Sequence, residues 1–145
     1  TIDVILHALE YFNTKKVGFD AVILCQPTSP LRTYNDIHQS IQLFESNDSE
    51  SLISVYQEDY INSLVMYKSQ SGLGVPLDGN HNKGIRRQEH GEVFVRNGAI
   101  YITSVDYLLK TKQIISERPV LYEMRKSDSI NVDTIEDIEL LKKII

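Results

Sequence analysis

The run Asp20-Ala-Val-Ile-Leu-Cys25 meets an abrupt stop in Gln26-Pro-Thr-Ser-Pro30. The run is apolar and rich in β-formers, and it reads as a short strand buried on both faces. Proline lacks an amide hydrogen and has a fixed φ. Pro27 and Pro30 can therefore sit neither in a central strand nor in a helix interior, and the chain must leave the sheet at Gln26. Thr33 and Asp36 then form a capping-box pattern, a hydroxyl with a carboxylate three residues on. Ile37, Ile41 and Phe44 supply the apolar stripe of the helix that follows. Strand, rigid polar loop and capped helix in this order are the repeating step of an α/β sheet.

The same alternation runs along the chain. Thr1 to Phe12 reads as an amphipathic helix with Ile2, Ile5, Leu6, Leu9 and Phe12 on one face. It carries Asp3, His7 and Glu10 and no basic leader, so it does not read as a signal peptide. Ser51 to Val55 reads as a strand, Tyr60 to Tyr67 as a further one, and Gln70 to Lys83 as loop or as an excursion from the core. Asn97-Gly98 is a turn signal. Ala99 to Thr103 reads as a strand, Val105 to Lys112 as a helix and Pro119 to Met124 as a strand. Thr134 and Asp137 open a last helix that turns Ile138, Leu141 and Ile145 inward. The expected fold is α/β with a mostly parallel sheet, whose ligand site lies beyond the carboxyl ends of the strands.

Composition excludes several classes. The 145 residues suit one domain, and 41% hydrophobic with 24% charged residues is ordinary for a globular protein. Fifteen Lys and Arg against twenty Asp and Glu give a net charge of −5, which disfavours a nucleic-acid coat. No run is long and apolar enough for a bilayer-spanning helix. The lone Cys25 cannot form an internal disulfide, which points to a reducing cytoplasmic location, and its apolar surroundings suit an inert thiol. The four histidines and Cys25 show no zinc spacing. There is no Gly-x-Ser-x-Gly elbow, Walker loop or Gly-x-Gly-x-x-Gly.

Three constellations carry polar chemistry. In Leu24-Cys-Gln-Pro-Thr-Ser-Pro-Leu-Arg32, an amide, two hydroxyls and a guanidinium sit on a stiff loop at a strand end. They can hold a hydroxylated ligand, or they can simply be a packed turn whose Thr28 and Ser29 bond the backbone. Lys83, Arg86, Arg87 and Arg96, with Gln88 and Asn97-Gly98 near them, can capture carboxylate or phosphate, or form a solvated charged face. Asn131 and Asp133, two apart in an extended segment, point to one side and can share a cation. Helix capping accounts equally well for Thr134, Glu136 and Asp137.

Together these segments resemble the acylneuraminate cytidylyltransferases, the CMP-sialic acid synthetases. The strand-end run Leu24–Arg32 is similar to that family's motif, with Cys25 where Leu is common. Arg87-Gln88 and Asn97-Gly-Ala-Ile-Tyr101 resemble its second motif. Ser129-Ile-Asn-Val-Asp-Thr134, followed by Glu136-Asp137, resembles its metal motif. The resemblance implies a Rossmann-like nucleotidyltransferase sheet with flanking helices and a dimerisation excursion at 57–84. It also implies a homodimer whose subunits help complete each other's sugar sites. The implied reaction joins CTP to a nine-carbon 2-keto sugar acid (sialic, legionaminic or pseudaminic type), giving the CMP-sugar and pyrophosphate with Mg2+ or Mn2+ as cofactor. No nucleic acid and no membrane enter it.

By that resemblance Gln26 contacts the sugar, Arg87 pairs with its carboxylate and Tyr101 lines its pocket. Ser29, Arg32, Gln88, Arg96 and Asn97 complete the substrate-binding set. Asp133 holds the metal, with Asn131 beside it. Three departures stand out. The family's glycine-rich and basic nucleotide loop precedes everything in this chain, so residues 1–145 resemble the C-terminal two-thirds of an enzyme without its nucleotide-binding segment. Asn131 stands where the family has Asp. Ile114-Ile115 stands near the family's aromatic pair. These departures keep open a non-catalytic sugar-acid or nucleotide-sugar binding module, and an α/β dimerisation scaffold.

Overall fold

A computed structural model describes residues 1–83 and 91–144. They divide into two compact units, Thr1–Tyr56 with Arg96–Ile145, and Gln57–Val95.

The larger unit is built on the α/β alternation. Helix α1 (Ile2–Thr14) precedes strand β1 (Ala21–Leu24), and helix α2 (Tyr34–Glu45) leads to strand β2 (Ser51–Glu58). Strand β5 (Val93–Ser104), helix α3 (Val105–Thr111), strand β6 (Val120–Glu123) and helix α4 (Ile135–Leu141) close the chain. The sheet order is β1-β5-β2-β6. β2 and β6 run parallel, Leu52 opposite Val120, whereas β1 and β5 are antiparallel, Ala21 opposite Ser104 and Leu24 opposite Tyr101. The sheet is therefore mixed, where the strand–helix alternation led us to expect a mostly parallel one. No α-helix lies between β2 and β5 among the described residues. Without a crossover helix, a strand enters against the direction of its neighbour.

The core holds Leu52, Ala99, Ile100, Ile102, Tyr122 and Met124, with Ile37, Ile41, Leu43 and Phe44 of α2 packed on it. The stripe read from the sequence is thus the buried side of α2. Its cap forms as expected: Thr33 accepts from the Asp36 amide at 3.2 Å, and the Asp36 carboxylate accepts from the Thr33 amide at 2.7 Å. Thr134 and Asp137 repeat the arrangement at α4.

Several expectations need correction. β1 is not buried on both faces: Ile23 is 39% exposed. An uninterrupted apolar run records hydrophobicity and does not say how many faces are covered. Cys25 lies just past β1, half-buried. Phe12 and Ile138 are exposed, although Ile5 is buried as expected. Ile145 lies outside the described residues. Asn97-Gly98 is not a turn but part of β5, where Gly98 takes φ +78°. The positive φ that the dipeptide favours is used to kink a strand.

In the smaller unit, Tyr60–Tyr67 is not a strand. Ser63–Val65 forms a 3-10 turn, and strand β3 (Tyr67–Gln70) starts where the strand was expected to end. The expected loop contains strand β4 (Leu73–Pro76), antiparallel to β3 with Gln70 opposite Leu73. Ser71 and Gly72, both at positive φ, make a two-residue hairpin turn. The hairpin escaped the periodicity reading because β3 is exposed throughout and β4 nearly so. Neither strand has the alternation that one buried face imposes.

Tyr122 links the sheet to α2. Its phenol donates to Asp36 Oδ1 and Gln39 Oε1, each at 3.1 Å. Burial, and then the negative charge and hydrogen bond of Asp36, push the phenol up to about 12 from 10.0. A raised phenol favours the folded state while protonated, so this stability is whole below pH 10 and is lost as pH rises through about 12. Urea denaturation between these limits should show the wild type losing stability with rising pH more steeply than Tyr122→Phe, which cannot ionise.

Candidate functional site

The strand-end loop is held by its own arginine. Arg32 Nη1 donates to the carbonyls of Ala99 (2.8 Å), Gln26 (3.2 Å) and Ser29 (3.4 Å). Carbonyls at a strand end have lost their ladder partners, and a guanidinium satisfies several at once. Arg32 therefore ties the loop to β5 and presents Gln26 at its mouth. Ser29 is 1% exposed. Its hydroxyl lies 3.2 Å from the Asn97 carbonyl and 3.4 Å from Asn131 Oδ1.

Gly98 sits where loop and strand meet. A Cβ there would lie 3.0 Å from Gln26 Oε1, 3.6 Å from Ser29 Oγ and 3.8 Å from the Tyr101 hydroxyl. Gln26, Ser29 and Tyr101 thus converge on Gly98, where the missing side chain permits their close approach. The Arg96 guanidinium lies over the Tyr101 ring, 5.9 Å from its centroid, at cation–π range.

Asn97 lies beneath them, 6% exposed. Its Oδ1 accepts from Ser54 Oγ (2.6 Å) and the Ala99 amide (3.1 Å). Its Nδ2 donates to Ser129 Oγ (2.9 Å) and lies 3.3 Å from Met124 Sδ. Every polar atom of this side chain is taken up inside the fold. Ser54 and Ser129 did not stand out in the sequence. Ser54 is one serine in an apolar strand, with no spacing signal. Ser129 opens the third motif, but no chemistry there drew attention to it.

The third segment joins the same region. The Val132 amide donates to the Thr28 carbonyl at 2.7 Å. Asn131 Nδ2 donates to Asp133 Oδ2 at 2.5 Å. Asp137 Oδ2 accepts from the amides of Asp133 (3.0 Å) and Thr134 (2.8 Å) and from the Thr134 hydroxyl (2.8 Å). The Thr134 hydroxyl first, then the two amides, hold the Asp137 carboxyl below its usual range. Helix capping is thus the work of Thr134 and Asp137, and the Asp133 carboxylate remains exposed beside Asn131. Among the described residues, no three His, Cys, Asp or Glu side chains gather as a ready-made metal cluster.

The structure therefore brings together Gln26, Ser29, Arg32, Arg96, Asn97, Tyr101, Asn131 and Asp133, drawn from three separated stretches of chain. Arg86, Arg87 and Gln88 lie outside the described residues. No described helix is long and apolar enough to cross a membrane.

No family model matches the chain. It is 32% identical over 115 residues to the N-acylneuraminate cytidylyltransferase of Streptococcus agalactiae serotype V. The chain is a homologue of the N-acylneuraminate cytidylyltransferases. The matched stretch is 79% of this chain and 28% of the streptococcal protein. The chain is also 28% identical over 152 residues to CMP-N,N'-diacetyllegionaminic acid synthase of Legionella pneumophila, covering 99% of itself and 62% of that protein. A third relative, post-translational flagellin modification protein B of Campylobacter coli, is 28% identical over 147 residues, with 59% of its length covered. The chain thus spans less than two thirds of each of these curated relatives. The similarity agrees with the motif resemblance, and the motifs' convergence gives this cytidylyltransferase homologue one candidate site.

Gly98 offers a direct check of that site. Gly98→Ala adds strain from the positive φ and a methyl against the Gln26 amide. Urea denaturation should show a loss of about 1–2 kcal/mol. Gly18→Ala, where nothing lies within 4 Å of the added carbon, should stay within about 0.5 kcal/mol of wild type.

Proposed function

We propose that this chain carries the sugar-acid and metal side of a CTP-dependent cytidylyltransferase acting on a nine-carbon 2-keto sugar acid. The observation that carries the reading is the meeting of Gln26, Ser29, Gly98 and Tyr101 with the Asn131–Asp133 segment. One relative's name, N-acylneuraminate cytidylyltransferase, and another's, CMP-N,N'-diacetyllegionaminic acid synthase, supply the substrate class.

In this reaction the sugar's anomeric hydroxyl attacks the α-phosphorus of CTP. A new P–O bond forms, the bond to the β-phosphate oxygen breaks, pyrophosphate leaves and the hydroxyl proton is released. Catalysis of this kind is mainly positioning and charge neutralisation. Gln26 and Tyr101 would orient the sugar, and Arg87 would pair with its carboxylate. Gln88 and Arg96 would complete the anion-binding pocket. Arg32 and Asn97 would shape it from below.

The residues fit a magnesium or manganese ion. One exposed carboxylate, Asp133, and an amide oxygen, Asn131, suit a hard cation held mainly through water and substrate phosphates. Such an ion, when bound, would neutralise charge on the CTP phosphates. A homodimer and a cytoplasmic location belong to the same proposal, the latter supported by the single free thiol.

The test is pyrophosphate release with CTP, Mg2+ and a panel of nine-carbon sugar acids. It should be run on this chain and on any longer form encoded upstream of Thr1. Activity with a sialic, legionaminic or pseudaminic acid is expected, and a folded, dimeric long form that stays silent would overturn the reading. In the active form, Arg87→Ala should raise KM for the sugar acid at least tenfold while changing KM for CTP little, since each lost charged contact costs about 1.5–3 kcal/mol.

A second reading, a non-catalytic sugar-acid or nucleotide-sugar binding module, draws on the neutral Asn131 that pairs with Asp133. Asn131→Asp separates the two. An enzyme should lower its Mg2+ requirement severalfold on gaining the charge, whereas a binding module should bind its ligand with the same affinity with or without metal.

A further inference from the structure

We propose that Ser129 and Ser54 are positioning residues that act through Asn97, setting the metal-bearing segment in register with the sugar-binding loop. The functional half of this inference rests on the cytidylyltransferase reading, while the structural coupling stands apart from it.

Asn97 reaches every segment of the site. Its Oδ1 is held by Ser54 on the central strand β2, and its Nδ2 by Ser129 after β6. Its own carbonyl receives the Ser29 hydroxyl from the strand-end loop. Ser54 also receives the Ile100 amide at 2.7 Å, and Ser129 donates to the Arg125 carbonyl at 2.9 Å. Each serine is thereby oriented from a second side. Two residues beyond Ser129, Asn131 reaches back to Ser29, and the Val132 amide closes the circuit on Thr28. The path from Asp133 to Gln26 thus passes through a closed ring of hydrogen bonds with Asn97 at its centre.

The physical reason for a ring is that neither segment can hold itself. The 129–133 stretch lies between a 3-10 turn at Lys126–Asp128 and the start of α4, with no ladder partner of its own. Asn131 and Asp133 are both exposed, so packing does not fix them. A buried primary amide with both ends occupied has one allowed orientation. Ser129 can transmit that orientation to the segment, and Ser54 sets it from the rigid centre of the sheet.

Ser129→Ala removes one hydroxyl at the half-buried end of the ring and touches no substrate position. Hydrogen exchange of the Val132 amide should speed up by as much as tenfold, the loss of one net hydrogen bond. The Ala99 amide, held by Asn97 Oδ1, should speed up with it. Ser129→Thr, which keeps the hydroxyl, should restore both. Exchange should leave the Lys112 amide, bonded to the Leu108 carbonyl in α3, at its wild-type rate. In the active form, Ser129→Ala should raise the Mg2+ concentration for half-maximal rate severalfold without changing KM for the sugar acid. Its Mn2+ affinity, read by electron paramagnetic resonance, should lie below that of the wild type by the same factor. Ser54→Ala is the second variant, expected to speed exchange at Ala99 and Val132 together.

Unchanged exchange at Val132 in both variants would overturn the coupling, even in an active enzyme. A general loosening that includes Lys112 would also overturn it, leaving the serines as ordinary core residues. Faster Val132 and Ala99 exchange in a protein inactive with every sugar acid would uphold the coupling and sink the catalytic reading instead.

Discussion

A primary amide taken out of water must find partners for both of its ends, and Asn97 finds them on different parts of the fold. That requirement shapes the region around it. The Ala99 amide turns toward Asn97 Oδ1, and the intervening Gly98 takes a positive φ that other residues adopt only under strain. The missing side chain lets Gln26, Ser29 and Tyr101 approach the backbone there. One buried side chain thus accounts for the local backbone of β5 and for the close approach beside it.

Arg32 plays a complementary part from the opposite side of the loop. A strand that ends in prolines leaves carbonyl groups without ladder partners. Two of them, Gln26 and Ser29, are collected by one guanidinium nitrogen that also takes the Ala99 carbonyl of β5. The sequence reading assigned Arg32 to substrate. In the structure, its Nη1 is engaged with the backbone, and its contribution to the site runs through the loop it holds. Ser29 is similar: it is buried, and its hydroxyl lies between the Asn97 carbonyl and Asn131 Oδ1. Gln26 and Tyr101 are the side chains that approach Gly98 with Ser29, and Arg96 lies over the Tyr101 ring.

The metal segment shows how two explanations of one motif are reconciled. Thr134 and Asp137 are occupied by capping, and the depressed Asp137 carboxyl reflects the donors gathered on it. That leaves Asp133 exposed, oriented by its amide's bond to Asp137 and by the Asn131 side chain. Capping and cation binding were competing accounts of the same residues in the sequence. In the folded chain capping falls to Thr134 and Asp137, and it does not occupy the Asp133 carboxylate.

Much of this was legible from local chemistry. The prolines after β1, the two capping boxes and the apolar stripe of α2 act over a few residues, so neighbouring side chains suffice to read them. The resemblance to the acylneuraminate cytidylyltransferases rested on three such local motifs, and the homology agrees with it. Only the tertiary structure decided the direction of β1 against β5, the exposure of Ile23 and the pairing of β3 with β4, because these depend on which strands become neighbours. It also decided the roles of Ser54 and Ser129. A serine's chemistry is the same in any strand, and it becomes part of a site only when a residue 43 positions away, as Asn97 is from Ser54, must bury an amide against it.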